Sequence, residues 1–119
     1  MPLKMILTGD VNLMNVTDPA VPFKRVAAEF RATDVVFSNL ECCFYDPPGG
    51  HSVDTEGFFA HPGAGGETLR HAGIHAVGIA NNVNYGEAAI QSSIARLDEL
   101  GIPHTGAGVN RAAARAPVI

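Results

Sequence analysis

A helix-stopping glycine, a short apolar run and a polar end occur twice in this chain, 28 residues apart. Gly73-Ile74-His75 leads to Asn81-Asn82, and Gly101-Ile102-Pro103-His104 leads to Asn110. A period of that length fits one β–α unit, because parallel neighbouring strands need a crossover of about a dozen residues or more, usually a helix. Between the two copies, Glu87–Leu100 sets Ile90, Ile94 and Leu97 on one face and meets Gly101 just past its end. That spacing predicts a helix over 87–100. The pattern points to an α/β fold with a mostly parallel sheet.

The rest of the chain fits the same alternation. Met5–Thr8 reads as a buried strand closed by Gly9-Asp10, and Asp34–Ser38 as a second strand ending at Asn39-Leu40-Glu41. Pro22–Arg31 carries Phe23, Val26, Ala27 and Phe30 at helical spacing. Asp46–Gly57 reads as loop, and Phe58–Ala60 as a short strand. Glu67–Ala72 is a short helix stopped by Gly73, and Gly63–Gly66 ahead of it reads as a flexible turn. Ile74–Ala80 and His104–Ala107 are further strands, and Arg111–Arg115 is a short helix. Ala116–Ile119 looks like the opening of another strand, so the expectation is one domain over 1–119 that is the N-terminal half of a larger one.

The composition excludes several classes. Of 119 residues 46% are hydrophobic and 17% charged, a globular balance. Eight basic residues against 12 acidic ones give a net charge of −4 with no basic stripe, which argues against nucleic acid. No apolar stretch approaches the length of a membrane span, and the first residues lack the layout of a signal peptide. Cys42 and Cys43 are adjacent, so they read as buried thiols in a reducing, cytoplasmic compartment.

In α/β sheets, chemistry gathers at the carboxyl ends of the strands. Three such ends are polar here: Gly9-Asp10 with Asn12, Asn39-Leu40-Glu41, and Asn81-Asn82 with Asn84. Two carboxylates and several amides form an oxygen-rich set that suits a hard or borderline cation such as Mg²⁺, Mn²⁺ or Fe²⁺. Each piece also has a plainer explanation, since Asp and Asn at strand ends commonly bond their own backbone. Glu41 is harder to dismiss, because apolar Leu40 and Cys42 flank it and a carboxylate in such company needs a partner. Among the histidines, His51 lies in a loop and His61 on a connection that could cross the same edge, while His71, His75 and His104 read as structural. No nucleophile elbow or phosphate-binding loop is present; Gly63–Gly66 lacks the Gly-Lys-Ser/Thr ending.

The order Gly9-Asp10, Asn39-Leu40-Glu41, Ala80-Asn81-Asn82 and Gly106-Ala107-Gly108 resembles the bacterial capsule synthesis family, CapA-like, of poly-gamma-glutamate biosynthesis. That resemblance covers Met5 to Ile119 and implies a metallophosphatase-like α/β/β/α fold with a two-metal site. It further implies that Asp10, Asn39, Glu41 and Asn82 are metal ligands, with Mn, Fe or Mg as the divalent cofactor, and that the activity is hydrolysis of a phosphoester or related bond. Two departures stand out. Val83 occupies the place of the family's histidine, and the chain is about half the length that resemblance implies, so the metal site is expected to be incomplete.

The competing readings are a non-catalytic binding or assembly protein on the same fold, and a generic β–α fragment such as half of a barrel. An exposed strand edge at the chain's end would invite a homodimer. The substrate, small molecule or polymer, is not legible.

Overall fold

The computed structural model describes residues 2–50, 58–84 and 86–119. His51 and the rest of the connection 51–57 lie outside the described residues. The elements run β1 (Met5–Val11), α1 (Ala27–Arg31), β2 (Val35–Leu40), β3 (Cys43–Phe44), β4 (Phe59–Ala60), α2 (Pro62–Ala72), β5 (Ala76–Gly78), α3 (Glu87–Leu100), β6 (His104–Thr105) and α4 (Arg111–Ala114). Four strands form one sheet in the order β1-β2-β5-β6, and β3 pairs with β4. Each pairing is parallel, so the α/β architecture with a parallel sheet holds.

Burial alternates along β2: Val36, Ser38 and Leu40 are buried, while Val35, Phe37 and Asn39 are half-buried on the other face. The buried face, with Val77 of β5, joins Phe30, Leu69 and Leu97 from the helices in one apolar cluster. α1 packs on α2, and α2 on α3. Right-handed crossovers that step across the sheet in one direction put their helices on one side.

Several elements differ from their sequence expectation. β1 does not close at Gly9-Asp10. It runs on to Val11 through an irregularity in which Leu7 pairs with Phe37 but Asp10 pairs with Asn39, so Thr8 and Gly9 together face Ser38. α1 covers only half of Pro22–Arg31; residues 22–26 are turns, with Phe23 still packed on Phe30 at 5.8 Å between ring centres. Gly63–Gly66 is not a flexible turn but the opening of α2, which starts at Pro62, a residue preset for a first helical turn. Glycine is required there by packing, because a Cβ on Gly65 would lie 2.6 Å from the Phe44 ring. The strands over 74–80 and 104–107 are shorter than expected, and 116–119 forms no strand.

α3 spans its expected bounds and ends at Gly101 in the left-handed conformation with φ 66°. The centre of its buried face is Ala89, Ser93 and Leu97, with Ile94 beside it. Two serines tie it to β3, a strand with no sequence signal. The Phe44 N–H donates to Ser93 Oγ, and Ser92 Oγ donates to the Phe44 carbonyl, both at 2.6 Å. Cys42 and Cys43 are free and buried, as expected. Among the described residues no helix is long and apolar enough to cross a membrane.

Candidate functional site

The irregularity in β1 creates the site. Side chains alternate faces along a strand, so one extra residue reverses every position beyond it. With Thr8 and Gly9 opposite Ser38, Asp10 comes beside Asn39, and Val11 takes its place beside the buried Leu40. Without the extra residue Asp10 would pair with Leu40, and its carboxylate would face the apolar core. Open space over Gly9 leaves the strand end accessible.

β2 then delivers two groups. Asn39 and Glu41 are two residues apart in extended chain, so they project to one side, and the Glu41 N–H donates to the Val11 carbonyl at 2.8 Å to carry the ladder one residue further. Asn39 Nδ2 donates to Asp10 Oδ1 and to Glu41 Oε2, each at 2.7 Å. One amide thus bridges two carboxylates, which are brought together from sequence positions 29 residues apart in the case of Asp10 and Asn39. Asp10 is exposed and Glu41 half-buried, so solvent reaches the pair from the Asp10 side.

The third strand end contributes Asn81. Its Nδ2 donates to Asn39 Oδ1 at 3.0 Å and to the Leu40 carbonyl at 2.8 Å. Its Oδ1 accepts the N–H groups of Val83 at 3.3 Å and Asn84 at 3.1 Å. Asn84 in turn donates to the Ile79 carbonyl at 2.7 Å and accepts from Cys43 Sγ at 3.0 Å. Asn82 is exposed, and among the described hydrogen bonds it makes none to this group. Asp10, Asn39 and Glu41 are therefore gathered as the sequence suggests, and the asparagine that meets them is Asn81. Asn81 closes an Asx turn, its side chain capping the N–H groups two and three residues on, a role that either asparagine of the pair could take from the sequence alone.

The histidines do not join this group among the described contacts. His61 pairs with Asp46 at 3.2 Å, His104 with Asp98 at 3.0 Å, and His75 Nδ1 accepts the Val36 N–H at 2.9 Å. Val83 is buried at 5% exposure. No group of three or more His, Cys, Asp or Glu side chains among the described residues is arranged to hold a metal ion. The donor set at the site is two carboxylates with water access. That fits one hard cation, which can be held by one or two carboxylates with water completing the shell. It does not supply the nitrogen ligands of a two-metal centre.

A family model described as bacterial capsule synthesis protein PGA_cap matches residues 4–119. No curated protein matches the chain.

Proposed function

The chain belongs to the bacterial capsule synthesis protein family, and we propose that within it the chain is a metal-dependent hydrolase whose cation is held at Asp10 and Glu41. The observation that carries this reading is the convergence of both carboxylates, from neighbouring strands, on the single amide of Asn39 at 2.7 Å. When bound, a divalent cation supplies Lewis-acid polarisation of a phosphoryl or carbonyl oxygen. The protein's own part is positional. The β1 irregularity aims Asp10, the end of β2 aims Glu41, and Asn39 holds both in register. Descent from a metallophosphatase and a role in poly-gamma-glutamate synthesis belong to the same proposal, supported by the motif order in the sequence.

One observation favours a second reading, a non-catalytic binding or assembly protein on this fold. Val83 is buried where the resemblance places a histidine, and the described imidazoles have partners elsewhere or lie exposed. Among the described residues no imidazole is then placed at the site as general acid for the leaving group.

Thermal unfolding with and without Mn²⁺, in the wild type and in Asp10→Asn and Glu41→Gln, separates the readings. A cation at about 100 times its Kd adds about 2.7 kcal/mol, which moves Tm on the order of 10 °C. We expect that rise in the wild type, its loss in both variants, and Mn²⁺-dependent cleavage of an activated phosphodiester by the wild type. A rise in Tm without turnover supports the binding reading. No rise in the wild type overturns the cation site.

A further inference from the structure

We propose that Asn81 is the positioning residue of the Asp10–Asn39–Glu41 group, and that it decides whether Asn39 presents its NH₂ or its oxygen to the two carboxylates. The inference rests on the reading of that group as a cation site.

A carboxamide has two donor hydrogens and an oxygen with two lone pairs. All are engaged at Asn81: Nδ2 by the Leu40 carbonyl and Asn39 Oδ1, Oδ1 by the N–H groups of Val83 and Asn84. Three of these four partners are backbone groups, fixed in kind. Turning Asn81 over would set its NH₂ against two N–H donors and its oxygen against a carbonyl. Its orientation is therefore fixed by the chain. The fixed donor then requires an acceptor from Asn39, so Asn39 Oδ1 must face Asn81. The Asn39 NH₂ is left pointing at Asp10 and Glu41, one hydrogen for each.

The direction of the Asn39 amide is thus inherited from the turn at residues 81–84. It has a chemical consequence. With its NH₂ on the two carboxylates, Asn39 turns its carbonyl oxygen away from them and toward Asn81. For Asn39 to lend its oxygen to a cation, its amide must rotate by half a turn and give up the bond to Asn81. Asn81 opposes that rotation.

Asn81→Asp reverses the instruction. The introduced carboxylate still accepts the Val83 and Asn84 N–H groups, but it has no hydrogen to give Asn39 Oδ1 or the Leu40 carbonyl. Where a cation offsets the charge of Asp10 and Glu41, Asn39 can then turn its NH₂ toward the introduced carboxylate and its oxygen toward their side. Mn²⁺ titration by calorimetry should show binding at least tenfold tighter than in the wild type. Added negative charge alone would also tighten binding, so the same change is made in an Asn39→Ala background. Action through Asn39 requires the gain to disappear there. A gain that persists without Asn39, or a wild type that binds Mn²⁺ no more weakly than Asn81→Asp, overturns the proposal.

Asn81→Ala is the second variant, since it removes the lock without adding charge. Its readout needs no cation. In ¹⁵N-labelled protein the Asn39 side-chain NH₂ should exchange slowly with water in the wild type and at least tenfold faster in Asn81→Ala. Unchanged exchange overturns the positioning role even if Asn81→Asp fails to fold. If the wild type and Asn81→Asp both ignore Mn²⁺, the cation reading fails by itself, and the exchange rates still decide what Asn81 does.

Discussion

At the scale of single residues, burial sets the chemistry of the thiol beside the site. Cys42 follows Glu41 directly and is fully buried, and its pKa is pushed from 9.0 up to about 12. Burial is the largest cause. A backbone hydrogen bond at Leu13 opposes it, and the neighbouring charges of Cys43 and Glu41 add to it. The folded state therefore keeps the proton after the unfolded chain has lost it. Above pH 9 the unfolded state binds fewer protons than the folded one, so stability falls as pH rises from about 9 toward 12, and below pH 9 this group contributes no pH dependence. Denaturant midpoints measured from about pH 7 to about pH 11 should drop in the upper half of that range. The drop should shrink in Cys42→Ala, which is itself less stable at neutral pH because it leaves a small cavity. Slow alkylation of Cys42 in the native protein follows from the same cause, since the thiolate is the reactive form.

At the scale of elements, the glycines of α2 separate helix propensity from packing. Gly63 has open space around its missing Cβ, whereas a Cβ on Gly65 would meet the ring of buried Phe44 at 2.6 Å. Phe44 cannot yield easily, because its N–H and carbonyl are both tied to α3 serines. Gly63→Ala should stabilise by about 0.5 kcal/mol, mainly by restricting the unfolded chain. Gly65→Ala gains up to about 1 kcal/mol of helix propensity but incurs overpacking of about 1–3 kcal/mol, so a net loss is expected. Thermal unfolding of the two variants should move Tm in opposite directions; a rise in both would refute the contact with Phe44. The same glycines show what the sequence could not convey. A run of Gly-Ala-Gly-Gly reads locally as a turn, and the close approach of β3 at Gly65 and of α3 at Gly66 explains glycines inside a helix. β3 has no periodic signal of its own, being two buried residues held by serines distant in sequence. α3, by contrast, is legible to the residue, because a sustained apolar face and Gly101 agree. The candidate site is legible in its residue types, since Asp10, Asn39 and Glu41 sit at strand ends. The choice between Asn81 and Asn82 is not, because it depends on a turn that places one amide inward and leaves its neighbour exposed.

At the scale of the whole molecule, the described helices α1, α2 and α3 pack on one face of the sheet. The order β1-β2-β5-β6 advances in one direction, and the contacting helices α1, α2 and α3 share the apolar cluster with Val36, Leu40 and Val77. The other face carries Met5 at 55% exposure, Leu7 at 69%, and half-buried Val35 and Phe37. A groove of about 480 Å³ runs over Met5, Val35, Phe37 and Ala76 to Val118 and Ile119. Asn39 follows Phe37 by two residues on the same face, so the polar group lies at the end of an apolar surface. Contiguous exposed apolar surface is uncommon on soluble monomers and binds apolar dyes. The described chain should therefore enhance 8-anilinonaphthalene-1-sulfonate fluorescence while its near-ultraviolet circular dichroism shows fixed packing, a combination that separates it from a molten globule. Leu7→Lys and Met5→Lys should lower that fluorescence. Because both side chains are exposed, the substitutions should leave stability within about 0.5 kcal/mol. Unchanged dye fluorescence would place the binding elsewhere. A large fall in Tm would mean that Leu7 and Met5 are packed in solution and that this face is covered.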